Sequence, residues 1–218
     1  MRIRYRFAAV RSLPVAIRIA KLGSGRVVRR FVVRRRPGRT HLQRWGGLTG
    51  RGRVAEDGRY RVLIGPAGGP FAEAGRARLL GHRFPVGGPH ATRGTVGEFG
   101  APRSGGRSHE GFDLLAACGT PLRAARGGRV LRSGFDPMLY GWFVLIDGRR
   151  ERRNYFYAHL RRSPAVSAGE RVRTGRRIGA VGKTGNARTT PCHLHFELRS
   201  GGRPFDPEPA LRRWDRYS

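Results

Sequence analysis

From Pro191 to Leu198 the chain alternates apolar and polar residues, reading Pro-Cys-His-Leu-His-Phe-Glu-Leu. Successive side chains of a β-strand leave opposite faces, so this period sets both a conformation and an orientation. Cys192, Leu194, Phe196 and Leu198 share the face that buries, while His193, His195 and Glu197 share the other. Two imidazoles two residues apart on one face suit a single metal ion and its water. Alone they would equally suit a solvated strand. The decision rests on what else the chain offers them.

A partner lies upstream, in Gly105-Gly106-Arg107-Ser108-His109-Glu110-Gly111-Phe112-Asp113. In an extended segment His109, Gly111 and Asp113 share a face, with glycine leaving room for an ion. A helix would also align His109 with Asp113, but three glycines argue against one. Joined to the histidine pair, this run gives a three-ligand set: His109, Asp113 and one of His193 or His195. Two imidazoles, a carboxylate and an open fourth position describe a catalytic zinc site, not a structural one. A further histidine occurs in Tyr155-Phe156-Tyr157-Ala158-His159-Leu160. Strict alternation places Tyr155, Tyr157 and His159 on one face and Phe156, Ala158 and Leu160 on the other. Beside a ligand set, His159 gains a place near the metal.

The rest of the chain reads as all-β. Residues 1–66 form short strands of apolar residues and arginines punctuated by glycine and proline, ending in Asp57-Gly58-Arg59-Tyr60-Arg61-Val62-Leu63-Ile64. Residues 67–82 read as a linker, broken by Gly68, Gly69, Pro70 and Gly75, and 83–218 as the domain that carries the chemistry. Within it Gly119–Arg123 leading to Gly128–Val130 resembles Gly169–Arg173 leading to Arg177–Val181. Lipoyl and biotinyl carrier domains share this pattern, with Lys183 as the only residue to modify, but a carrier leaves the histidines without a purpose.

The 218 residues carry 45 Lys+Arg against 14 Asp+Glu, a formal net charge of +31. Such a balance raises nucleic acid as a partner. Only Lys21 and Lys183 are lysines, however, and the arginines scatter over the whole length beside abundant Gly, Ala and Pro. That is the signature of a GC-rich coding bias, so nucleic acid is not the expected partner, and an anionic cell-wall polymer or surface suits the charge better. No transmembrane segment is visible, and Arg11 and Arg18 interrupt every run near the start long enough to act as a signal peptide.

Taken together, Arg107 to Asp113 (R-x-H-x-G-x-D), Tyr157 to Leu160 (Y-A-H-L), Val181 to Gly185 (V-G-x-T-G) and His193 to Glu197 (H-L-H-F-E) resemble the lysostaphin-type zinc metallopeptidases. The resemblance runs from about Phe84 to Leu211. It implies an antiparallel β-sandwich of duplicated hairpin motifs, one Zn2+ per chain and cleavage of peptide bonds in peptidoglycan, outside the cell or in its envelope. Carried over residue by residue, it makes His109, Asp113 and His195 the metal ligands and His159 and His193 the catalytic histidines. Relatives that have lost ligands act as regulators, so a silent wall-binding or amidase-activating protein is the alternative; this sequence keeps all these positions. The order of motifs in residues 1–66 resembles the small Ig-like β-sandwich of flagellar hook-capping proteins. Cys118 and Cys192 each lie close to a ligand-bearing segment, and those segments must converge on one ion. A disulfide is therefore expected, and with it an oxidising compartment. A cysteine ligand is disfavoured because Cys192 points away from His193, and two free buried thiols are the other arrangement.

Overall fold

The computed structural model describes residues 1–216 and divides into two compact units, Met1–Gly81 and His82–Ser218. The first holds strands β1 (Arg2–Tyr5), β2 (Leu13–Lys21), β3 (Val27–Arg35), β4 (His41–Arg44), β5 (Gly58–Pro66) and β6 (Ala72–Leu79). They form a four-stranded antiparallel sheet in the order β3-β2-β5-β6 and a separate β1-β4 pair. The central strand β2 buries Ile17 and Ile19 against Tyr60 and Val62 of β5, and Ile3 of β1 and Trp45 join the same core.

The stretch 67–82 is not the linker that its glycines and proline suggest. It contains β6, which pairs with β5 from Gly58↔Leu79 to Ile64↔Ala72. The glycines serve a turn and a bulge instead. Gly68 and Gly69 lie in the turn between the strands, and Gly75, at φ 153, sits where the register shifts between Val62 and Leu63. As an edge strand β6 is mostly exposed, so it carries no apolar period to read.

The second unit is nearly all β. It contains β7 (Ala91–Thr92), β8 (Phe112–Leu115), β9 (Pro121–Arg123), β10 (Gly128–Asp136), β11 (Gly141–Gly148), β12 (Asn154–Leu160), β13 (Arg171–Val172), β14 (Arg177–Ala180), β15 (His193–Ser200) and β16 (Arg203–Phe205), then helix α1 (Glu208–Asp215). The main sheet runs β13-β10-β11-β12-β15-β8-β7 with β16 beside β15, and β14-β9 form a second sheet. The two look-alike segments pair crosswise: β9 with β14, and the start of β10 with β13. Each half of the repeat thus completes the other. Leu122, Ile146, Tyr157, Ile178, Leu194 and Phe196 are among the residues packed between the layers. Among the described residues no helix is long and apolar enough to cross a membrane.

Strand β15 is flanked by β8 and β12, and this placement gathers the histidines. Its pairing sets His195 opposite Asp113 on one side and opposite Ala158 on the other.

Candidate active site and metal centre

Strand β15 keeps the alternation expected of it. Leu194, Phe196 and Leu198 enter the core, and His193, His195 and Glu197 turn together towards an open cleft of about 770 Å³. Register then brings Asp113 of β8 alongside. His109 arrives from the preceding loop, fixed by backbone bonds from His109 N to Ala101 O and from Gly100 N to His109 O. Gly111 lies between them because nothing larger fits: a Cβ there would meet His195 Cε1 at 2.7 Å.

Three donor atoms meet at one point. His109 Nε2 lies 2.8 Å from His195 Nδ1 and 3.0 Å from Asp113 Oδ1, and His195 Nδ1 lies 3.1 Å from Asp113 Oδ1. Tetrahedral bonds of 2.0–2.1 Å would set ligand atoms about 3.3 Å apart, so the triangle needs to open only by tenths of an ångström to take an ion. The outer atoms of the same side chains are already engaged. His109 Nδ1 donates to Glu98 O at 2.7 Å, and His195 Nε2 donates to Glu197 Oε1 at 2.9 Å. Those bonds select the tautomers whose free lone pairs point into the triangle. Asp113 Oδ2 accepts from Arg93 Nη1 at 3.0 Å, which leaves Oδ1 for the centre. The donor set fits a metal ion.

The electrostatics agree. Burial would raise the Asp113 carboxyl, but hydrogen bonds from His109 and His195 and their charge hold it well below the usual carboxylate range. Burial would lower His195, yet bonds to Asp113 and Glu197 carry it up to about 9. A proton there and a metal ion compete for the same point between the same atoms.

His159 and His193 flank the triangle without joining it. Their rings lie 4.9 Å apart, and that of His159 is 5.8 Å from that of His195. Each donates from Nδ1 to a main-chain carbonyl at 2.9 Å, His159 to Thr184 and His193 to Pro191. Nε2 is therefore the basic atom of both, and that of His193 is 3.9 Å from Asp113 Oδ2. Burial, then the charges of His195 and His193, push His159 down to about 3; burial lowers His193 as well. Both imidazoles are neutral acceptors at pH 7.

The route by which His159 reaches this place differs from the expected one. Tyr155 and Tyr157 lie in the core with Leu160, whereas Phe156 and Ala158 pair with Glu197 and His195 on the site side. Alternation alone would therefore bury His159. It escapes because its own backbone is left-handed, with φ 60, next to a register shift between Trp142 and Val144 of β11. A bulge of this kind re-aims one side chain without moving the strand. The V-G-x-T-G run supplies the anchor. Thr184 Oγ1 donates to Leu160 O at 2.7 Å and accepts from Trp142 N at 3.0 Å, while its carbonyl holds His159. Gly182 and Gly141 make the approach possible: a Cβ on Gly182 would lie 2.4 Å from Arg161 Cα, and one on Gly141 2.1 Å from Thr184 Oγ1.

The sequence model of peptidase family M23 matches residues 107–207, which span every one of these side chains. The chain carries an M23 peptidase domain. The M23 domain and its surroundings are 34% identical over 160 residues to the L-Ala--D-Glu endopeptidase of Bacillus subtilis, covering 67% of this chain and 48% of that protein. A lipoprotein NlpD/LppB homolog of Pseudomonas aeruginosa is 34% identical over 152 residues, with 70% of this chain and 43% of that protein covered. The chain thus spans less than half the length of these relatives. Among solved structures, the antimicrobial peptidase lysostaphin from Staphylococcus simulans superposes with a TM-score of 0.53 at 25% identity, covering 64% of this chain and 57% of that one.

Cys118 and Cys192 are bonded to each other, with Cα atoms 5.4 Å apart. The bond continues the β8–β15 pairing just past Leu115↔His193. Several parts of the site have no assignment from sequence: the Glu197 carboxylate, Arg93 and the carbonyls of Glu98, Thr184 and Pro191. The first is legible as the third polar residue on the histidine face. A main-chain acceptor has no sequence signature.

Proposed function

We propose that this chain is a zinc-dependent endopeptidase that hydrolyses peptide bonds in bacterial peptidoglycan, holding one zinc through His109, Asp113 and His195. The observation that carries the reading is the closed donor triangle with two neutral, carbonyl-anchored imidazoles beside it. Zinc held there would supply Lewis acidity, polarising the scissile carbonyl and easing deprotonation of water. The protein has to move protons. With Nδ1 committed, His159 and His193 each present Nε2 to the cleft, where one accepts the proton of the attacking water. The other, an acceptor at the same atom, orients the attacking water through its second proton, while the oxyanion would be left to the zinc. The leaving amine nitrogen then recovers the proton from the imidazole that took it. Burial favours this cycle because it keeps both imidazoles neutral at rest.

The endopeptidase name of the Bacillus relative supports peptidoglycan peptides as substrate, and the Cys118–Cys192 bond suits the oxidising conditions of the cell envelope or beyond. The surplus positive charge favours retention on anionic wall polymers. Zymography on purified peptidoglycan tests the proposal. Clearing should vanish with a chelator and return with zinc. Clearing that ignores the chelator removes the metal from the mechanism. A zinc-loaded protein that binds peptidoglycan without clearing it is instead a silent regulator of the same fold.

A further inference from the structure

The loop that leads into His109 brings arginines to the cleft that the metal site does not need as ligands. Pro102 and Ser108 form an antiparallel bridge, and Arg103 N donates to Arg107 O at 2.9 Å. Gly105 and Gly106, with φ 72 and 70, turn the chain between them. Only glycine adopts two successive left-handed residues without strain. Arg103 and Arg107 therefore stand side by side on a tight hairpin, and both line the cleft.

Their surroundings hold surplus positive charge. The carboxylates lining the cleft are Glu110, Asp113 and Glu197. Arg199 pairs with Glu110 and Glu197, and Asp113 is committed to the histidines and to Arg93. Arg103 Nη2 remains 3.6 Å from Asp113 Oδ2, longer than a good hydrogen bond, and its side chain is 27% exposed. Its Nη1 donates to the neighbouring Pro102 carbonyl, at 3.3 Å. Arg107 spends Nε on Ser104 O, also at 3.3 Å, and is exposed. A cation at the triangle would deepen the imbalance, because it claims what remains of Asp113.

Guanidinium groups with unspent forked donors at the rim of a cationic centre favour a carboxylate, which they bind through two parallel hydrogen bonds. Resting on the reading of this cleft as a peptidase site, we propose that Arg103 and Arg107 form an anion subsite. It selects peptides with a free carboxylate beside the scissile bond over neutral, glycine-only peptides.

The experiment uses zinc-loaded protein and two peptides that differ in one group, a carboxylate beside the scissile amide or its carboxamide. Affinity is read by titration calorimetry and kcat/KM by product formation. The carboxylate peptide should bind about tenfold more tightly, the size of one charge-assisted hydrogen bond. That preference should fall in Arg103→Gln and approach one in the Arg103→Gln/Arg107→Gln double variant. Arg103→Lys, which keeps the charge and loses the fork, should retain part of it and guards against a variant that fails to fold. Arg173→Gln, next to the edge strand β13, should leave it intact. Equal affinity for the two peptides in the unmodified protein, or a preference that survives in the double variant, overturns the subsite. If neither peptide is cut, the peptidase reading fails, while the affinity ratio still decides the subsite.

Discussion

Strands β12 and β15 lie side by side, and each delivers histidine to one cleft by opposite means. β15 does it with regular geometry: alternation runs unbroken from His193 to Leu198, and the polar face is the site. β12 does it by breaking the rule at its end, where His159 adopts φ 60 and leaves the course that its strand would give it. The regular strand supplies a proposed ligand, His195, and one proposed proton carrier, His193; the irregular one supplies the second proposed carrier, His159, whose ring lies 5.8 Å from that of His195. A regular β12 would bury the ring in the core. The bulge brings His159 beside the donor triangle without adding it to the set.

The largest effects should fall on the donor triangle to which the regular strand contributes. His109→Ala opens the donor triangle, so bound zinc should fall below stoichiometry and peptidoglycan hydrolysis should disappear with it. Metal analysis and a zymogram measure both. Full zinc with lost activity would mean that His109 is no ligand. At the two proposed proton carriers, one on each strand, the outcomes should split. His159→Ala and His193→Ala should keep one zinc per chain and lose about 10²–10⁴-fold in kcat/KM, the usual contribution of a positioned acid or base. If either variant also loses zinc, ligand and catalyst have been exchanged.

The same contrast shows how far the sequence can be read. Alternation along Pro191–Leu198 is enough to place His193, His195 and Glu197 on one face, and spacing is enough to bring in His109 and Asp113. The long-range partner of Cys118 follows from the same convergence. Reading fails wherever a residue's direction depends on local backbone geometry. The period that assigns a face to His159 is cancelled by its left-handed φ, and β6 passes for a linker because edge strands carry no apolar face. The anchors of the imidazoles escape for a related reason: the carbonyls of Glu98, Thr184 and Pro191 could belong to any residue.

A smaller effect should follow from reduction of the Cys118–Cys192 bond, which closes a loop of sequence separation 74 next to β15. Loss of such a crosslink typically costs about 2–4 kcal/mol. Denaturant unfolding with and without reductant measures it. The contrast between strands sharpens the expectation, because the bond ties β15 to the segment after β8 and joins no residue of β12. Amide exchange should therefore accelerate in β8 and the first half of β15 before it does in β12. Uniform acceleration would mean that the two strands open as one unit.

Glu197 offers the finest test, because it is the one anchor that is a side chain. His109, His159 and His193 are each oriented by a main-chain carbonyl, which substitution cannot remove. His195 is oriented by a carboxylate two residues along its own strand, fully buried and held in turn by Arg199. An ionised acceptor on Nε2 does more than hold the ring; it raises the basicity of Nδ1 towards a metal. Glu197→Gln keeps the size and an acceptor oxygen but removes the charge. Zinc affinity, measured by competition with a chromophoric chelator, should fall about 10–100-fold. With zinc at saturating concentration most of the activity should return, since the His159 and His193 anchors are untouched. An affinity equal to that of the unmodified protein would reduce Glu197 to a neutral prop. A loss of activity that saturating zinc does not repair would place it among the groups that act on the substrate.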